Sequence, residues 1–426
     1  MTSMTDLLPA LADKVGTPFW LYDATRLRQR IADIRYITDT EGVQARFAMK
    51  ACPATKVLQE MRKAGIWIDA VSGNEVLRAL GAGYSGGQEP TEVCLTCDVF
   101  RDNAMDVVLK HGVLPNIGSP GQIRDLTKAG YKGGISVRVN PGFGHGHVNA
   151  CDTGGPSSKH GIWFEDFAEI NASAQAAGFP VHMLHAHIGS GPQFDELVEN
   201  LTRLAEEFAE FLPQLPDLRA VSLGGGIPHN YRDPLATVPL DRLKALFAGC
   251  RERLCAAAGR LIQLEIEPGR YYVAPSCTLV ARVTDVKRTR DNAKGSGVTF
   301  AMVDAGFVDL VRPAMYGSFH RITVIPHNGA ERPEEPIVVA GPLCESGDVF
   351  TRDDQELLQP RMLPRPEAGD FLLLHDAGAY GYAMASNYNS IGKAPQLWLE
   401  ADGSVEMISR RETLEDLLKA ECSQVI

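Results

Sequence analysis

The sequence predicts an α/β fold in which a closed (β/α)8 barrel of the TIM type is joined to a smaller antiparallel β domain. Three observations favour this fold. Short β-rich segments alternate with amphipathic helical segments from about residue 46 to residue 270, and eight such pairs follow one another. After about residue 271 the alternation stops, and runs of β-branched residues separated by turns replace it.

The eight predicted barrel strands are short and apolar, as is usual for parallel strands covered on both faces. In chain order they span residues 46–50, 67–72, 92–97, 114–119, 134–140, 181–189, 218–226 and 262–269. Several of the helical segments between them end at a glycine, which is a frequent helix terminator. A long loop, residues 142–158, follows the fifth strand, and long loops in this position usually belong to an active site.

The second domain is predicted from the β-branched runs of the C-terminal part. They span residues 271–289, 298–306, 322–327, 336–341, 371–381 and 396–409. One further predicted strand, residues 17–23, precedes the first helix. It is not one of the eight barrel strands, so it is a candidate member of this domain. We therefore expect a barrel of residues 25–272 and a β-sandwich or β-barrel domain formed by residues 1–24 and 273–426.

The composition excludes several classes of partner. The 426 residues include 42 Lys and Arg against 53 Asp and Glu, a net charge of −11, so the whole chain lacks the basic surface that nucleic acids or anionic membranes need. Nine scattered cysteines argue against a disulfide framework. The N-terminus lacks a signal-peptide pattern, and no apolar run reaches the roughly 18 residues of a membrane span. These features predict a cytoplasmic enzyme with a small-molecule substrate.

Polar residues gather at the predicted carboxyl ends of the barrel strands, where barrel enzymes carry their active sites. They include Lys50, Asp69, Arg138, His187, Ser190, Glu267 and Arg270. Lys50 is the most informative of them. A lysine at the end of an apolar strand either extends to solvent or acts as a buried amine, whose characteristic chemistry is Schiff-base formation.

Two glycine-containing turns and a carboxylate accompany Lys50. Gly224–Gly226 follows the seventh strand and Gly269–Arg270 the eighth, where barrels commonly bind phosphate through backbone N–H groups. Glu267 ends an apolar strand and needs a cationic partner, such as a pyridinium nitrogen. A Schiff-base lysine, a phosphate site and a buried carboxylate together predict pyridoxal 5'-phosphate as the cofactor. His187 either stacks on the cofactor ring or is a hydrogen-bonded structural histidine.

Two other interpretations of the motifs were weighed. His185 and His187 lie two residues apart on one side of a strand, a spacing that binds zinc in some barrel hydrolases, but no further ligand set is evident and no metal is predicted. Cys94 and Cys97 form a single CxxC with no second pair, and their side chains face opposite sides of a strand. Core packing is therefore the expected role of these cysteines.

Ten motifs in a fixed order resemble the fold type III pyridoxal phosphate decarboxylases, and within them the diaminopimelate decarboxylase family of the enterobacterial type. The motifs are FAMKA (47–51), VSGNEVLRALGAGY (71–84), RVNPGFGHGH (138–147), TGGPSSKHGIW (153–163), HAHIGSG (185–191), GGG (224–226), EPGR (267–270), VDAGFVDLVRPAMYGSFH (303–320), GPLCESGDVF (341–350) and DAGAYGYAMASNYNS (376–390). The resemblance runs from about Thr17 to Leu418. Each motif alone is modest, but their order and spacing are specific.

The resemblance implies a role for each candidate residue. Lys50 would carry the cofactor, His187 would stack on its ring, and Glu267 would pair with its pyridine nitrogen. The other residues of the implied cofactor site are Asp69, Arg138, Ser190, Gly226, Gly269, Arg270 and Tyr388. The implied substrate contacts are Arg270, Arg312, Tyr316, Glu345 and Tyr388. Cys344 would protonate the substrate carbon, and Cys344 and Glu345 would reach the cofactor of the other subunit, which implies a homodimer with shared active sites.

The far end of the substrate is predicted from the segment before Tyr316. Basic-amino-acid decarboxylases of this fold carry an acidic group there, whereas this chain has Arg312, which suits a distal carboxylate. Glu345 would accept a distal ammonium, so a substrate with both groups, meso-2,6-diaminopimelate, is expected to yield L-lysine. An ion pair of Arg312 with Asp309 or Asp304 is the structural alternative. The segment 390–395 departs from the family pattern, which leaves a carboxylate-rich siderophore precursor as the alternative substrate.

Overall fold

The structure is a computed structural model, and it describes residues 4–87, 90–144, 153–189, 193–293 and 295–422. Its helices are α1 (Met4–Val15), α2 (Ala24–Thr38), α3 (Thr55–Lys63), α4 (Gly73–Gly81), α5 (Ala104–His111), α6 (Pro120–Lys128), α7 (Phe167–Ala177), α8 (Phe194–Phe211), α9 (Leu240–Ala258), α10 (Arg270–Val273), α11 (Arg312–Tyr316) and α12 (Leu414–Leu418). Its strands are β1 (Phe19–Asp23), β2 (Val43–Ala48), β3 (Trp67–Ala70), β4 (Val93–Thr96), β5 (Leu114–Ile117), β6 (Ile135–Asn140), β7 (Ile162–Trp163), β8 (Val181–His185), β9 (Ala220–Ser222), β10 (Gln263–Ile266), β11 (Cys277–Arg288), β12 (Thr299–Val303), β13 (Ile322–Ile325), β14 (Glu334–Ala340), β15 (Arg361–Pro364), β16 (Phe371–Leu374), β17 (Gln396–Leu399) and β18 (Val405–Ser409).

Eight parallel strands form a closed barrel, which confirms the predicted fold class. Their order is β5-β4-β3-β2-β10-β9-β8-β6, and the pairing of β5 with β6 closes the ring. The short strand β7 pairs with β6 outside the ring. Most barrel strands end earlier than predicted: β2 stops at Ala48, and β9 covers only Ala220–Ser222. Most of the candidate site residues therefore lie in the turns that follow the strands.

Local capping sets the ends of the barrel helices. α4 begins after Ser72, whose Oγ accepts the Glu75 N–H at 3.2 Å, while the Glu75 carboxylate accepts the Val71 N–H at 2.8 Å. α9 ends at Ala258 and is capped by Gly259, whose φ of +66° lies in the left-handed region that favours glycine. The Ser72 cap lies in the connection from β3 to α4, at the carboxyl ends of the strands, and Ser72 borders the cleft described below.

The second sheet is mixed rather than wholly antiparallel, which corrects the prediction. Its order is β15-β14-β12-β11-β1-β17-β18, and β16 pairs with both β11 and β13. The pairs β1–β17 and β12–β14 are parallel, whereas the other pairs are antiparallel. Parallel pairing is possible here because these partners are joined by long connections and not by tight hairpin turns. The leftover strand at residues 17–23 joins this sheet as β1, as the sequence suggests.

The core of this sheet lies under α1. Leu8 of α1 is fully buried and packs with Phe19 and Leu21 of β1, Val280 of β11 and Leu397 of β17. Burial of large apolar side chains is the main favourable contribution to folding, so this cluster holds the N-terminal segment on the sheet.

Within the described residues the chain divides into two compact units. The barrel unit contains residues 29–229 and 236–272, and the β unit contains residues up to 28, residues 230–235 and residues from 273 onward. The segments 25–28 and 230–235, which the sequence analysis placed with the barrel, therefore group with the β unit. The reason is visible for the first turn of α2, where Arg28 forms an ion pair with Glu400 at 2.7 Å.

Two whole-chain expectations concern membranes and disulfides. No helix in the described part of the chain is long and apolar enough to cross a membrane. None of the eight cysteines that the structure describes forms a disulfide with another of them, and Cys151 lies outside the described residues.

Arg46 joins several barrel strands through one buried side chain. Its Nε lies 2.5 Å from Glu265 Oε2 on β10, and its guanidinium also donates to the carbonyl oxygens of Ile68, Thr91 and Glu92. Arg46→Ala should lower the free energy of unfolding by about 3–5 kcal/mol, because it leaves the Glu265 carboxylate buried without its cation. Urea unfolding at neutral pH measures this loss.

The double variant Arg46→Met with Glu265→Leu is the control for this interpretation. It removes both charges together, so it should recover most of the stability lost in Arg46→Ala. A double variant no more stable than Arg46→Ala would show that shape, and not the unpaired charge, causes the loss.

Candidate active site

Lys50 lies in a short 3-10 turn, Met49–Ala51, directly after β2. The turn that follows β10 packs against this 3-10 turn. A Cβ on Gly269 would lie 3.0 Å from the Ala48 carbonyl oxygen and 3.4 Å from the Ala51 Cβ. A larger residue at position 269 would therefore displace the turn that carries Lys50. The structure thus gives Gly269 a packing role in addition to the phosphate-binding role predicted for it.

Lys50 borders a cleft of about 500 Å³ at the carboxyl ends of the barrel strands, and Arg138, Asp98 and His160 border it too. Asp98 forms an ion pair with Lys159 and a hydrogen bond with His160, whose Nδ1 lies 3.0 Å from Asp98 Oδ2. Although burial favours the neutral acid, the bonds from Lys159 and His160 lower the pKa of Asp98, so it is a carboxylate. The volume suits a small-molecule ligand.

Two buried polar side chains lie near the carboxyl ends of barrel strands. Asp69 belongs to β3 and Arg138 to β6. Burial raises the pKa of Asp69, and the nearby Glu267 carboxylate raises it further, whereas Lys50, Thr96 and Arg138 lower it. Within the described residues, Asp69 Oδ1 and Arg138 Nη2 have no hydrogen-bond partner. Buried polar atoms are rarely left unpaired, so both atoms are suited to meeting a ligand.

Glu267 is buried directly after β10 and accepts two side-chain hydrogen bonds. His185 Nε2 lies 2.8 Å from its Oε2, and Ser222 Oγ donates to its Oε1 at 2.7 Å. Burial opposes ionisation, but the charge and hydrogen bond of His185 and the bond from Ser222 outweigh it and lower the pKa of Glu267. Each carboxylate oxygen can accept a second bond, so an ionised Glu267 can also pair with a cationic group.

His187 follows β8 as a neutral imidazole. Its Nδ1 accepts the Gly225 N–H at 3.1 Å, and because a backbone N–H only donates, the proton of the ring lies on Nε2. Burial, together with the positive charges of Lys50 and Arg138, lowers the pKa of His187 well below its usual value. A neutral, fixed ring of this kind can stack on another aromatic ring.

The triple glycine after β9 allows close approach of backbone to backbone. A Cβ on Gly224 would lie 2.4 Å from the Ala186 carbonyl oxygen, and one on Gly225 would lie 2.5 Å from that of Glu267. Gly226, with a φ of +117°, has its hypothetical Cβ 3.0 Å from the Gly189 carbonyl oxygen. The first two glycines are thus required by the fold, and all three leave backbone groups uncovered by side chains.

Two other predicted site residues complete the barrel unit. Arg270 is buried at the start of α10, immediately after Gly269. Ser190 lies outside the described residues.

Each histidine of the zinc interpretation has one ring nitrogen in a hydrogen bond. His185 Nε2 is bonded to Glu267, and His187 Nδ1 is bonded to Gly225. In the described part of the chain, no group of three or more His, Cys, Asp or Glu side chains is arranged to hold a metal ion.

In the β unit, Arg312 is buried at the start of α11 and contacts two aromatic rings. Its Nη1 lies 2.9 Å from His320 Nε2, and its Cζ lies 5.0 Å from the centre of the Tyr231 ring. The predicted alternative partners are engaged elsewhere: Asp309 accepts the Gly306 N–H, and Asp304 accepts the Arg282 N–H. The structure thus assigns Arg312 a histidine partner where the sequence analysis offered an aspartate.

Cys344 and Glu345 lie on a loop that is built around the buried carboxylate of Asp348. Asp348 accepts the N–H groups of Phe307 at 2.7 Å and Leu343 at 2.9 Å. Cys344 itself is exposed, and its N–H donates to Asn389 Oδ1 at 3.2 Å. The hydrogen bonds of Asp348 therefore fix the backbone next to Cys344, while the Cys344 thiol is exposed.

The remaining predicted residues of the β unit are tyrosines on either side of this loop in sequence. Tyr316 ends α11 and is half-buried, whereas Tyr388 is 45% exposed and its ring centre lies 5.5 Å from that of Phe307. The segment that departs from the family pattern follows Tyr388 and packs on Glu412. A Cβ on Gly392 would lie 2.4 Å from the Glu412 carbonyl oxygen, so local packing accounts for glycine at this position.

Asp309 provides a test of pH-dependent stability. Burial raises its pKa to about 7, although the Gly306 N–H and Arg411 lower it. The folded protein holds a proton on Asp309 up to about pH 7, whereas the unfolded carboxyl loses it near 3.8, so stability should fall as pH rises through this window. Asp309→Asn cannot ionise and should raise the free energy of unfolding at pH 8 by roughly 2–4 kcal/mol.

Urea unfolding of both proteins at about pH 5 and pH 8 checks this expectation. The gain should be much smaller at pH 5, where the native carboxyl is already neutral. If the free energies of unfolding of Asp309→Asn and wild type differed by the same amount at both pH values, Asp309 would not hold a proton in the folded protein at about pH 5.

Several site residues were missed or assigned another role by the sequence analysis. His185 was weighed only as a zinc ligand, and Ser222, His160, Asp348 and His320 received no role. Ser222 carried one usable signal, since it is a polar residue inside an apolar strand that directly precedes three glycines. The partners of His185 and His160 lie far away in sequence, at Glu267 and Asp98, so no local pattern marks these two residues.

Comparisons with known proteins agree with this geometry. Residues 26–274 match the family described as pyridoxal-dependent decarboxylase, pyridoxal binding domain. The chain is 39% identical over 417 residues to the diaminopimelate decarboxylase of Escherichia coli strain K12, covering 97% of this chain and 95% of that protein. It is 39% identical over 418 residues to the diaminopimelate decarboxylase of Streptomyces coelicolor, covering 97% and 91% of the two chains.

Solved structures show the same likeness over the whole chain. A crystal structure of a diaminopimelate decarboxylase superimposes with a TM-score of 0.88 at 38% identity, covering 97% of this chain and 95% of that one. The diaminopimelate decarboxylase of Helicobacter pylori complexed with L-lysine has a TM-score of 0.83 at 28% identity, covering 97% and 98%.

Proposed function

The chain belongs to the pyridoxal-dependent decarboxylase family, and from this premise we propose that it removes CO2 from meso-2,6-diaminopimelate to form L-lysine, the last step of lysine biosynthesis. The observation that carries the proposal is the site after β2, β8 and β10, where Lys50 borders the cleft, His187 is a neutral ring and Glu267 is a buried carboxylate. The relatives at 39% identity are diaminopimelate decarboxylases, so a siderophore precursor is not favoured.

The residues present fit pyridoxal phosphate. Asp69 Oδ1 and Arg138 Nη2 are buried polar atoms that lack partners among the described residues, and Glu267 can accept a further bond from a cation. The residues that would hold the cofactor are Lys50, Asp69, Arg138, His187, Ser190, Gly226, Glu267, Gly269, Arg270 and Tyr388. When bound, the cofactor supplies an electron sink for the pair left behind as CO2 departs.

The barrel residues act by binding and by holding protons. The Lys50 amine would hold the cofactor, and as a free amine it would accept or return a proton beside the amino group of the substrate. The Glu267 carboxylate, kept ionised by His185 and Ser222, holds a proton on the pyridine nitrogen. The neutral His187 ring offers an uncharged face and adds no competing charge.

Residues of the β unit recognise the substrate and complete the reaction. Arg312 is suited to pairing with the distal carboxylate, and Glu345 with the distal ammonium. The Cys344 thiol protonates the carbon that loses CO2. The other proposed substrate contacts are Arg270, Tyr316 and Tyr388.

The experiment that tests the function is CO2 release across a panel of substrates. The wild-type enzyme should release CO2 from meso-diaminopimelate and not from lysine, ornithine or citryl-amino-acid conjugates. Arg312→Ala should lose activity selectively toward substrates with a distal carboxylate. An enzyme inactive on meso-diaminopimelate but active on another member of the panel would refute the assigned substrate.

We further propose a cytoplasmic homodimer in which Cys344 and Glu345 act in the active site of the partner subunit. Lys50→Ala and Cys344→Ala homodimers should each be inactive, and mixing them should restore about a quarter of wild-type activity, because half of the dimers are mixed and each mixed dimer has one intact site. No recovery after subunit exchange, verified by size, would contradict shared sites.

A further inference from the structure

We propose that His320 and Tyr231 are positioning residues that set the guanidinium of Arg312 for the distal carboxylate of the substrate. This inference rests on the proposed function, in which Arg312 binds that carboxylate. It concerns two residues from separate segments of the β unit, Tyr231 from residues 230–235 and His320 from the loop before β13.

His320 is held in one protonation state by two hydrogen bonds. Arg312 Nη1 lies 2.9 Å from His320 Nε2, and His320 Nδ1 lies 2.9 Å from the carbonyl oxygen of His375. A guanidinium nitrogen only donates and a carbonyl oxygen only accepts, so Nε2 is the acceptor and the proton lies on Nδ1. His320 is therefore neutral, and its ring orientation is fixed by the backbone at His375.

A neutral acceptor directs the guanidinium without cancelling its charge. A carboxylate in the place of His320 would form an ion pair with Arg312 and compete with the substrate carboxylate. The imidazole instead fixes the direction of one N–H bond and leaves the positive charge on Arg312. This is the electrostatic arrangement that favours binding of an anion from outside the protein.

Tyr231 fixes the guanidinium from a second direction. The Arg312 Cζ lies 5.0 Å from the centre of the Tyr231 ring, a distance at which the ring attracts the cation. The same ring contacts His320 edge to face, with 5.4 Å between ring centres and 74° between planes. Tyr231 thus packs on both members of the Arg312–His320 pair and couples their positions.

The consequence concerns the entropy of binding. Arginine is a long side chain with many rotamers, and a buried Arg312 that is bonded at Nη1 and covered by a ring has lost that freedom on folding. The substrate carboxylate then meets a guanidinium already in position, which favours affinity and discrimination against ligands without the distal group.

The test compares binding of two probes to the loaded enzyme by calorimetry. 2-Aminopimelate carries a distal carboxylate, and norleucine does not, so the ratio of their dissociation constants reports the Arg312 contact. Within one preparation this ratio does not depend on the fraction of active protein. The variants are His320→Leu, His320→Gln and Tyr231→Leu, and the matched control is His327→Leu, which alters a histidine that bonds Asp370.

His320→Leu and Tyr231→Leu should each reduce the preference for 2-aminopimelate about tenfold, the usual effect of losing a well-placed hydrogen bond to a charged group. His320→Gln keeps an acceptor for Arg312 and should stay within about threefold of wild type, and His327→Leu should leave the ratio unchanged. For meso-diaminopimelate, KM should rise more than kcat falls in the two leucine variants at positions 320 and 231.

An unchanged ratio in both His320→Leu and Tyr231→Leu overturns the inference. The inference is also overturned if the preference for 2-aminopimelate over norleucine falls as much in His320→Gln as in His320→Leu. The hydrogen-bond acceptor at position 320 would then not matter. Wild-type release of CO2 from meso-diaminopimelate is measured in parallel. Its absence contradicts the proposed function, whereas its presence with an unchanged ratio contradicts only the positioning role.

Discussion

Lys50→Ala should lower CO2 release from meso-diaminopimelate by at least about a thousandfold, because the amine that attaches the cofactor is removed. Lys50 lies in the turn that follows β2 and borders the cleft, so the substitution removes the amine from the candidate site. Borohydride reduction of the wild-type enzyme should leave the cofactor mass on the Lys50 peptide.

The matched control is Lys63→Ala, which changes a lysine whose side chain is 69% exposed and pairs with Glu60. It should retain wild-type activity, since Lys63 ends α3 and does not border the cleft. If Lys50→Ala keeps more than a small fraction of wild-type activity, or if the label appears on another lysine, Lys50 is a solvent-exposed lysine and not the cofactor attachment site.

Glu267→Gln should lower kcat by roughly a hundredfold or more, because a neutral amide does not hold a proton on a pyridine nitrogen. The amide is close in size to the carboxylate and can still accept the hydrogen bond from Ser222. Glu267→Ala should in addition lower the free energy of unfolding by roughly 2–4 kcal/mol, because Ser222 and His185 lose a buried acceptor. Steady-state kinetics and urea unfolding separate the two effects.

The lowered pKa of Glu267 adds an acid-stability measurement to this prediction. The native carboxylate stays ionised below the ordinary carboxyl value of 4.5, so its stabilisation is complete above that pH and is lost as pH falls through the lower folded value. Wild-type protein should therefore lose more stability between about pH 5 and pH 3 than Glu267→Gln does. A steeper loss in the variant would show that Glu267 is not a native carboxylate.

The barrel was predictable because its strands are local features of the sequence. Each is a short apolar run bounded by a turn or a helix, and all eight are present. The positions of Lys50 and Glu267 followed from the same reasoning, since each comes directly after such a run. The strand ends were less accurate, because the apolar pattern continues into turns such as Met49–Ala51 that pack inside the fold.

The hydrogen-bond partners within the site were not predictable, because they depend on contacts between distant segments. His185 meets Glu267 only after β8 and β10 take their places in the closed barrel. Arg312 shows a different limit, because Asp304 and His320 are each eight residues away from it in sequence, and only the folded loop places His320 against the guanidinium. The mixed sheet of the β unit was missed for a related reason, because strand direction depends on the path of long connections.

The position of β1 also has a consequence for folding during synthesis. β1 is translated before the other strands of its sheet, yet its two neighbours are β11, which pairs Phe19 with Val280, and β17, which pairs Asp23 with Leu399. Until those residues have been translated, β1 has two unpaired edges and an apolar face of the kind that promotes aggregation. The sheet around β1 is therefore completed only after β17 has been translated, which is later than the entire barrel sequence up to residue 272.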